Sequence, residues 1–96
     1  MIVTIKRKRW ELVFLPPSQM PTEDGKPIRG QCDGPGQTKK KIKINNSLRG
    51  EERVEVIIHE MLHAADWDKD EEWVEQVAED IARVLHKLNL LQEAPK

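Results

Sequence analysis

The spacing of apolar residues changes near residue 50, and this change restricts the possible fold more than any other feature. Before residue 50, apolar and polar residues alternate over short stretches, which is typical of β-strands. After it, two segments place apolar residues three or four positions apart, which is typical of amphipathic helices. Strands that precede the helices, rather than alternating with them, predict an α+β fold. A chain of 96 residues has room for one hydrophobic core, so we expect a single domain over residues 1–96.

The first half, residues 1–50, is expected to hold the strands and a long loop. Residues 2–15 predict one long strand, or two short strands that turn at the basic cluster of residues 6–9. Residues 16–36 contain nine prolines and glycines, which predicts a loop with a short strand near residues 27–32. Residues 39–45 predict another short strand. The expected inward-facing residues of these strands are Ile5, Trp10, Leu12, Phe14, Ile42 and Ile44.

The second half is expected to form two helices, over residues 51–65 and 71–89. Acidic residues in the first turn of each helix favour its N-terminus, and Asp70 is suited to cap the second one. The apolar stripe of the second helix comprises Trp73, Val74, Val77, Ala78, Ile81, Leu85 and Leu88. Together these elements predict a small, mostly antiparallel sheet packed on two helices.

Charge is balanced over the chain but divided between its halves. The 16 Lys and Arg residues against 17 Asp and Glu give a net charge of −1, which argues against a protein devoted to binding polyanions. Residues 1–50 hold 11 basic and four acidic residues (net +7), whereas residues 51–96 hold five basic and 13 acidic residues (net −8). The halves could attract each other, which we favour, or each could meet a different partner.

Three features that the sequence lacks indicate where the protein is located. No apolar run approaches the roughly 18 residues of a membrane span, and the first residues do not resemble a signal peptide. One cysteine cannot form an internal disulfide or a cysteine-based zinc site. These features predict a cytoplasmic protein without a membrane partner.

The chemistry is concentrated in an H-E-x-x-H motif, His59-Glu60-Met61-Leu62-His63, inside the first predicted helix. Residues four apart lie on one face of a helix, so both imidazoles can bind one Zn²⁺ ion. Glu60 can then act as the general base towards the attacking water and as the proton donor to the leaving amine. The motif therefore predicts a zinc-dependent metallopeptidase.

A catalytic zinc needs a third protein ligand, and the residues alone leave its identity open. His86 is more simply a surface residue near a helix end, and no third histidine follows at the spacing of a metzincin. An acid of the second helix remains, as in gluzincins. The candidates are Glu72, Glu75, Glu79 and Asp80. Helical geometry does not favour Glu72, although its place in the first turn could bring it to the metal.

Residues 28–88 resemble the small phage- and prophage-encoded zinc metallopeptidases of the zincin-like group, which includes minigluzincins and SprT-like proteins. The resemblance rests on the G-x-C-D segment at residues 30–33, the KIKIN strand, the H-E-x-x-H helix and the helix after it. It implies a zincin-like fold, with His59 and His63 as zinc ligands and Glu60 as catalytic base. It also implies Glu72 as the third ligand and Asp80 as a hydrogen-bonding partner of a zinc-binding histidine.

The resemblance further implies that residues 41–45 form an edge strand beside the active-site helix. Such a strand binds an extended polypeptide substrate by β-addition. Its lysines would favour acidic or nucleic-acid-associated substrates, although protection of a sheet edge against aggregation is the commoner role of such lysines. Cys32 is best explained as a buried packing residue; the alternative is a thiolate that occupies the open zinc position and keeps the enzyme latent.

Two alternatives to a working peptidase remain. The domain could bind zinc but be a catalytically latent or degenerate binding module. Less favoured is a nucleic-acid-binding adaptor that uses residues 6–9 and 39–43, with the motif incidental. The sequence does not predict the substrate's identity, the cleavage preference or the oligomeric state.

Overall fold

The computed structural model describes residues 1–91, and their strands and helices follow the predicted order, strands first and helices second. The last five residues of the predicted domain lie outside the described part. The strands are β1 (Ile2–Ile5), β2 (Lys8–Leu15), β3 (Thr22–Glu23), β4 (Lys26–Pro27), β5 (Gly30–Cys32) and β6 (Lys41–Asn45). The helices are α1 (Gly50–Ala65) and α2 (Glu71–Lys87), with one 3-10 turn at Pro17–Gln19. The α+β class is confirmed.

Strands β1 and β2 form a hairpin, so the second of the two predicted arrangements is correct. Its two-residue turn consists of Lys6 and Arg7, whose φ angles of 49° and 69° match the twist that a tight hairpin requires. The four-stranded sheet has the order β1-β2-β6-β5. Two of its three pairings are antiparallel and the β2–β6 pairing is parallel, so the sheet is mostly antiparallel, as predicted. Strands β3 and β4 pair only with each other.

The prediction that Lys41–Asn45 is an edge strand is wrong. Strand β6 lies inside the sheet, between β2 and β5, and the edge beside α1 is formed by the three-residue strand β5. The alternation of Lys and Ile in β6 indicates one solvent-exposed sheet face, which an interior strand can have as readily as an edge strand. Ile42 and Ile44 are fully buried, as expected, and the lysines lie on the outer face.

The core lies between the inner face of the sheet and α1. It consists of Trp10, Leu12, Cys32, Ile42, Ile44, Leu48, Val56 and Ala64. The indole N–H of Trp10 donates a hydrogen bond to the carbonyl oxygen of Asp33, 3.1 Å away, which satisfies its one polar atom inside the core. Phe14 is less buried than predicted and lies under the guanidinium group of Arg53, 4.7 Å from the ring centre.

Helix α2 packs on α1 through small residues. Val74, Ala78 and Ala82 are completely buried, whereas the larger Trp73 and Ile81 of the predicted stripe are 44% and 39% exposed. Small side chains allow two helices to approach closely, and the bulky ones are left at the margin of the contact. Asp70 precedes α2 but makes no capping hydrogen bond through its side chain. Within residues 1–91, neither helix combines the length and the apolar character needed to cross a membrane.

Candidate metal site

The H-E-x-x-H residues lie on α1, on the side that faces the beginning of α2. The imidazoles of His59 and His63 lie one turn apart and meet edge to face, with ring centres separated by 4.9 Å. Their Nε2 atoms point to the same place and lie 3.2 Å from each other. The predicted juxtaposition of two histidine nitrogens is therefore present.

Glu71, the first residue of α2, brings a carboxylate to both imidazoles. One oxygen lies 2.8 Å from Nε2 of His59, and the other lies 2.7 Å from Nε2 of His63. The ligand atoms of this trio all lie within 4.8 Å of one another, and no other such trio of His, Cys, Asp and Glu occurs in residues 1–91. The three side chains are close enough to hold a metal ion.

The position of Glu71 follows from the helix–helix contact. Glu71 precedes the buried residues Val74, Ala78 and Ala82 by three, seven and eleven positions, so it lies on the same face of α2. That face packs against α1. At the N-terminal end of this face, Glu71 lies opposite the two histidines of α1. Glu71 was not among the acids predicted as ligands, although its alignment with the small apolar residues of α2 indicates this position.

Glu72 is not a member of the trio, despite the expectation from the resemblance. It follows Glu71 by one position and so lies about 100° further around the helix, on an exposed face. Glu75 lines the cleft beside the histidines but is not one of the three clustered residues. Glu71, and not Glu72, is therefore the acid that lies beside the two imidazoles.

Asp80 and Glu79 belong to a separate surface cluster. The carboxylate of Asp80 accepts hydrogen bonds from Gln76 and Arg83, and Glu79 lies 3.7 Å from the same guanidinium group. Among the described residues, the side chain of Asp80 thus bonds to its own helix and to neither His59 nor His63. His86 pairs with Glu51 at the start of α1 and not with the trio, which agrees with its interpretation as a non-ligand.

Glu60 is the one buried carboxylate next to the trio, with only 8% of its surface exposed. Burial, and to a lesser extent the negative charge of Glu71, raise the pKa of its carboxyl group to about 7, while Arg29 opposes the shift. A general base works best when its pKa lies near the working pH. Glu60 therefore has the environment expected of a proton-transferring group.

Strand β5 approaches the motif helix closely at Gly30. A Cβ atom at this position would lie 2.8 Å from Cγ1 of Val56 and 3.0 Å from Oε2 of Glu60, closer than real side chains tolerate. The absent side chain therefore lets the edge strand lie directly against the carboxylate of Glu60. The G-x-C-D segment owes its glycine to this contact.

A cleft runs past the trio on both sides. On one side it has a volume of about 390 Å³ and an acidic lining that includes Glu23, Glu55 and Glu75, with Arg29 as its single cation. On the other side Trp67 and Lys69 form the wall, next to His63 and Glu71. Trp67 in turn lies against Gly34 of the loop after β5. Residues of the trio thus line both parts of the cleft.

Cys32 lines both sides of this cleft but is itself buried. Its thiol donates a hydrogen bond to the carbonyl oxygen of Asp33, 3.3 Å away. Burial, together with the smaller effects of the charges of Glu60 and Asp33, raises the pKa of the thiol to about 12. A thiol that remains protonated at neutral pH favours the packing role over the metal-blocking thiolate.

A comparison of the chain with protein-family models found no match, and comparisons with curated proteins and with solved structures found none either. The resemblance to zincin-like metallopeptidases therefore remains a prediction, and the case for a function rests on the geometry of the site.

Proposed function

We propose that this protein is a zinc-dependent peptidase that binds Zn²⁺ through His59, His63 and Glu71. The observation that carries the proposal is the convergence of two imidazole nitrogens and one carboxylate beside the buried carboxylate of Glu60. Two histidines and one glutamate are a donor set of catalytic zinc sites, which leave a fourth position open. Glu71 takes the place that the resemblance gave to Glu72.

The distances within the trio suit a zinc ion. Ligand atoms about 2.0–2.2 Å from a tetrahedral zinc lie about 3.3–3.6 Å from one another. The two Nε2 atoms, 3.2 Å apart, are already close to that separation. The carboxylate oxygens are about half an ångström too near the nitrogens, but the side chain of Glu71 is 65% exposed and free to withdraw. No rearrangement of either helix is required.

His59, His63 and Glu71 would hold the zinc ion, which would supply a Lewis acid able to polarise a carbonyl oxygen and lower the pKa of water. Glu60 then has the role of general base and takes a proton from the attacking water. The same carboxyl group can then pass this proton to the leaving amine. The backbone of Gly30 lies close to this carboxylate, which restricts its position beside the trio.

We propose that the backbone of the substrate binds along the edge of strand β5. This strand is a terminal strand of the sheet and it lines the cleft next to the trio, so an extended polypeptide can pair with its free edge. The lysines of β6 do not reach this cleft lining, which is acidic instead. We therefore expect basic rather than acidic residues in the favoured substrates.

Glu60→Gln tests the catalytic assignment, because glutamine keeps the shape of the side chain but cannot accept the proton. We expect cleavage of unfolded casein to fall by roughly 10²–10⁴-fold, the usual contribution of a general base. Zinc content, measured by elemental analysis, should stay near one ion per chain in wild type and variant. Chelator should abolish the wild-type activity and added zinc should restore it.

Equal activity of wild type and Glu60→Gln would contradict the mechanism. A wild-type chain that carries one zinc ion and cleaves nothing would instead support the alternative of a latent or degenerate zinc-binding module.

A further inference from the structure

A basic surface covers one end and the outer face of the sheet, away from the metal site. We call it the basic face; it comprises Lys6, Arg7, Lys8, Arg9, Lys39, Lys40, Lys41 and Lys43. The ion pairs found in residues 1–91 involve Arg29, Arg83 and the three histidines, and none includes a member of the basic face. Eight cations therefore lie together without a carboxylate partner in the described part of the chain.

The parallel pairing of β2 and β6 is what gathers these residues. Parallel strands begin at the same end of a sheet, and the backbone N–H of Glu11 donates to the carbonyl oxygen of Lys40 at 2.9 Å. The β1–β2 turn, which holds Lys6 and Arg7, lies at this same end. A recess of about 280 Å³ opens there, with Ile2 and Trp10 in its wall and Arg9 and residues 39–41 around them.

Protection of a sheet edge does not account for these cations. Lys41 and Lys43 project from an interior strand whose two edges are already paired, so they protect no edge. The nearby acids are Glu11, opposite Lys41 in the register, and Asp33, whose carboxylate accepts the backbone N–H of Lys41 at 2.9 Å. Crowded like charges destabilise the folded chain, and an anionic partner relieves that repulsion.

The anionic partner that fits best is a nucleic-acid duplex. The exposed aromatic side chains lie elsewhere: Phe14 under Arg53, Trp67 beside His63, and Trp73 under Lys69. The basic face therefore offers no exposed ring on which an unpaired base could stack, as single-strand binders do. A duplex needs no such ring, because it presents closely spaced phosphates on its outside.

We propose that the basic face binds duplex nucleic acid through its phosphates, without recognition of the base sequence. This function is independent of zinc, because no residue of the basic face belongs to the trio, and Arg9, Lys41 and Lys43 alternate with the core residues of their strands and so project from the sheet face opposite α1. A bound duplex leaves the acidic cleft open to solvent. The net charge of the chain does not reveal the basic face, because most of the acids that balance it lie in residues 51–96.

The experiment is a titration of a fluorescently labelled 20-base-pair duplex with the protein, followed by anisotropy at 50–200 mM NaCl in the presence of a chelator. We expect the logarithm of the association constant to fall linearly with the logarithm of salt concentration, with a slope of about −0.9 for each phosphate contacted. A single strand of the same length should bind more weakly than the duplex.

Two double variants on the basic face, Arg9→Glu/Lys41→Glu and Lys8→Glu/Lys39→Glu, replace exposed residues at separate positions. Each should weaken binding at least tenfold at 100 mM NaCl and make the salt slope shallower by about 1.8, the equivalent of two phosphate contacts. The matched control is Lys26→Glu/Lys87→Glu, which changes the net charge equally at exposed positions outside the basic face. Its affinity should stay within threefold of wild type.

The proposal is overturned by any of three results. These are no saturable binding by wild type at 50 mM NaCl, an equal loss in the control variant, and tighter binding of the single strand than of the duplex. Circular dichroism establishes that each variant is folded, and the comparison of duplex with single strand uses the wild-type protein alone.

Discussion

The raised pKa of Glu60 predicts how the stability of the metal-free protein depends on pH. An unperturbed glutamate has a pKa of 4.5, whereas Glu60 in the folded chain has a pKa of about 7. Between these values the folded state holds a proton that the unfolded state has released, so the free energy of unfolding falls as pH rises. The difference of about 2.5 pKa units corresponds to about 3.4 kcal/mol over the whole window.

About 2.5 kcal/mol of this change falls between pH 5 and pH 8, because the unfolded glutamate is already largely ionised at pH 5. The assay is urea-induced unfolding of wild type and Glu60→Gln at both pH values, with chelator present. Wild type should lose about 2.5 kcal/mol more than the variant between the two pH values, since glutamine does not titrate. All other titratable groups are the same in the two proteins, so their contributions cancel in the comparison. An equal loss in the two proteins, or a smaller loss in wild type, would show that Glu60 is not a buried carboxylate of raised pKa.

Three further substitutions test the packing around the site. Gly30→Ala should lower the free energy of unfolding by about 1–3 kcal/mol and reduce activity, because the new Cβ would meet Val56 and Glu60. Gly36→Ala is the control and should change neither, because the space around Gly36 is open. Thermal unfolding and casein cleavage measure the two effects. Ala78→Leu should overpack the contact between the helices and lower the free energy of unfolding by about 1–3 kcal/mol. It should also weaken zinc binding, because the shifted helix displaces Glu71. Val84→Leu, at a half-exposed position, should change neither property. His86→Ala should cost less than about 1 kcal/mol in urea unfolding and leave zinc binding unchanged, because its pairing with Glu51 lies at the surface; loss of zinc from this variant would refute the assignment of His86 as a non-ligand.

The helices, the strands and two of the three clustered residues could be predicted because their signals are local. The period of the apolar residues gave α1 and α2 to within a few residues at each end, and the H-E-x-x-H spacing alone placed His59 and His63 on one face. Glu71 was missed because the position of the buried face was judged from the whole apolar stripe, bulky residues included. In the structure the small residues Val74, Ala78 and Ala82 form the contact, and the glutamate aligned with them reaches the histidines.

The position of β6 could not be predicted because it depends on a pairing between distant segments. Alternating Lys and Ile residues predict a strand with one buried face, but the parallel pairing with β2 joins segments about 30 residues apart. That pairing moves the lysines from the expected substrate edge to the basic face, and it leaves β5 as the edge strand beside Glu60. Because β5 rather than β6 is the edge strand, we expect basic rather than acidic residues in the substrate.

The most direct test of the account is the zinc affinity of Glu71→Ala compared with Glu72→Ala. The two residues are adjacent, chemically identical and both exposed in the first turn of α2, so they differ mainly in the face they occupy. Competition with a chromophoric chelator should show that Glu71→Ala binds zinc more weakly than wild type by a factor beyond the roughly 10–100-fold lost with a supporting residue. Glu72→Ala should bind zinc as wild type does. A loss of zinc from Glu72→Ala with retention by Glu71→Ala, or no zinc binding by wild type, would contradict the proposed site.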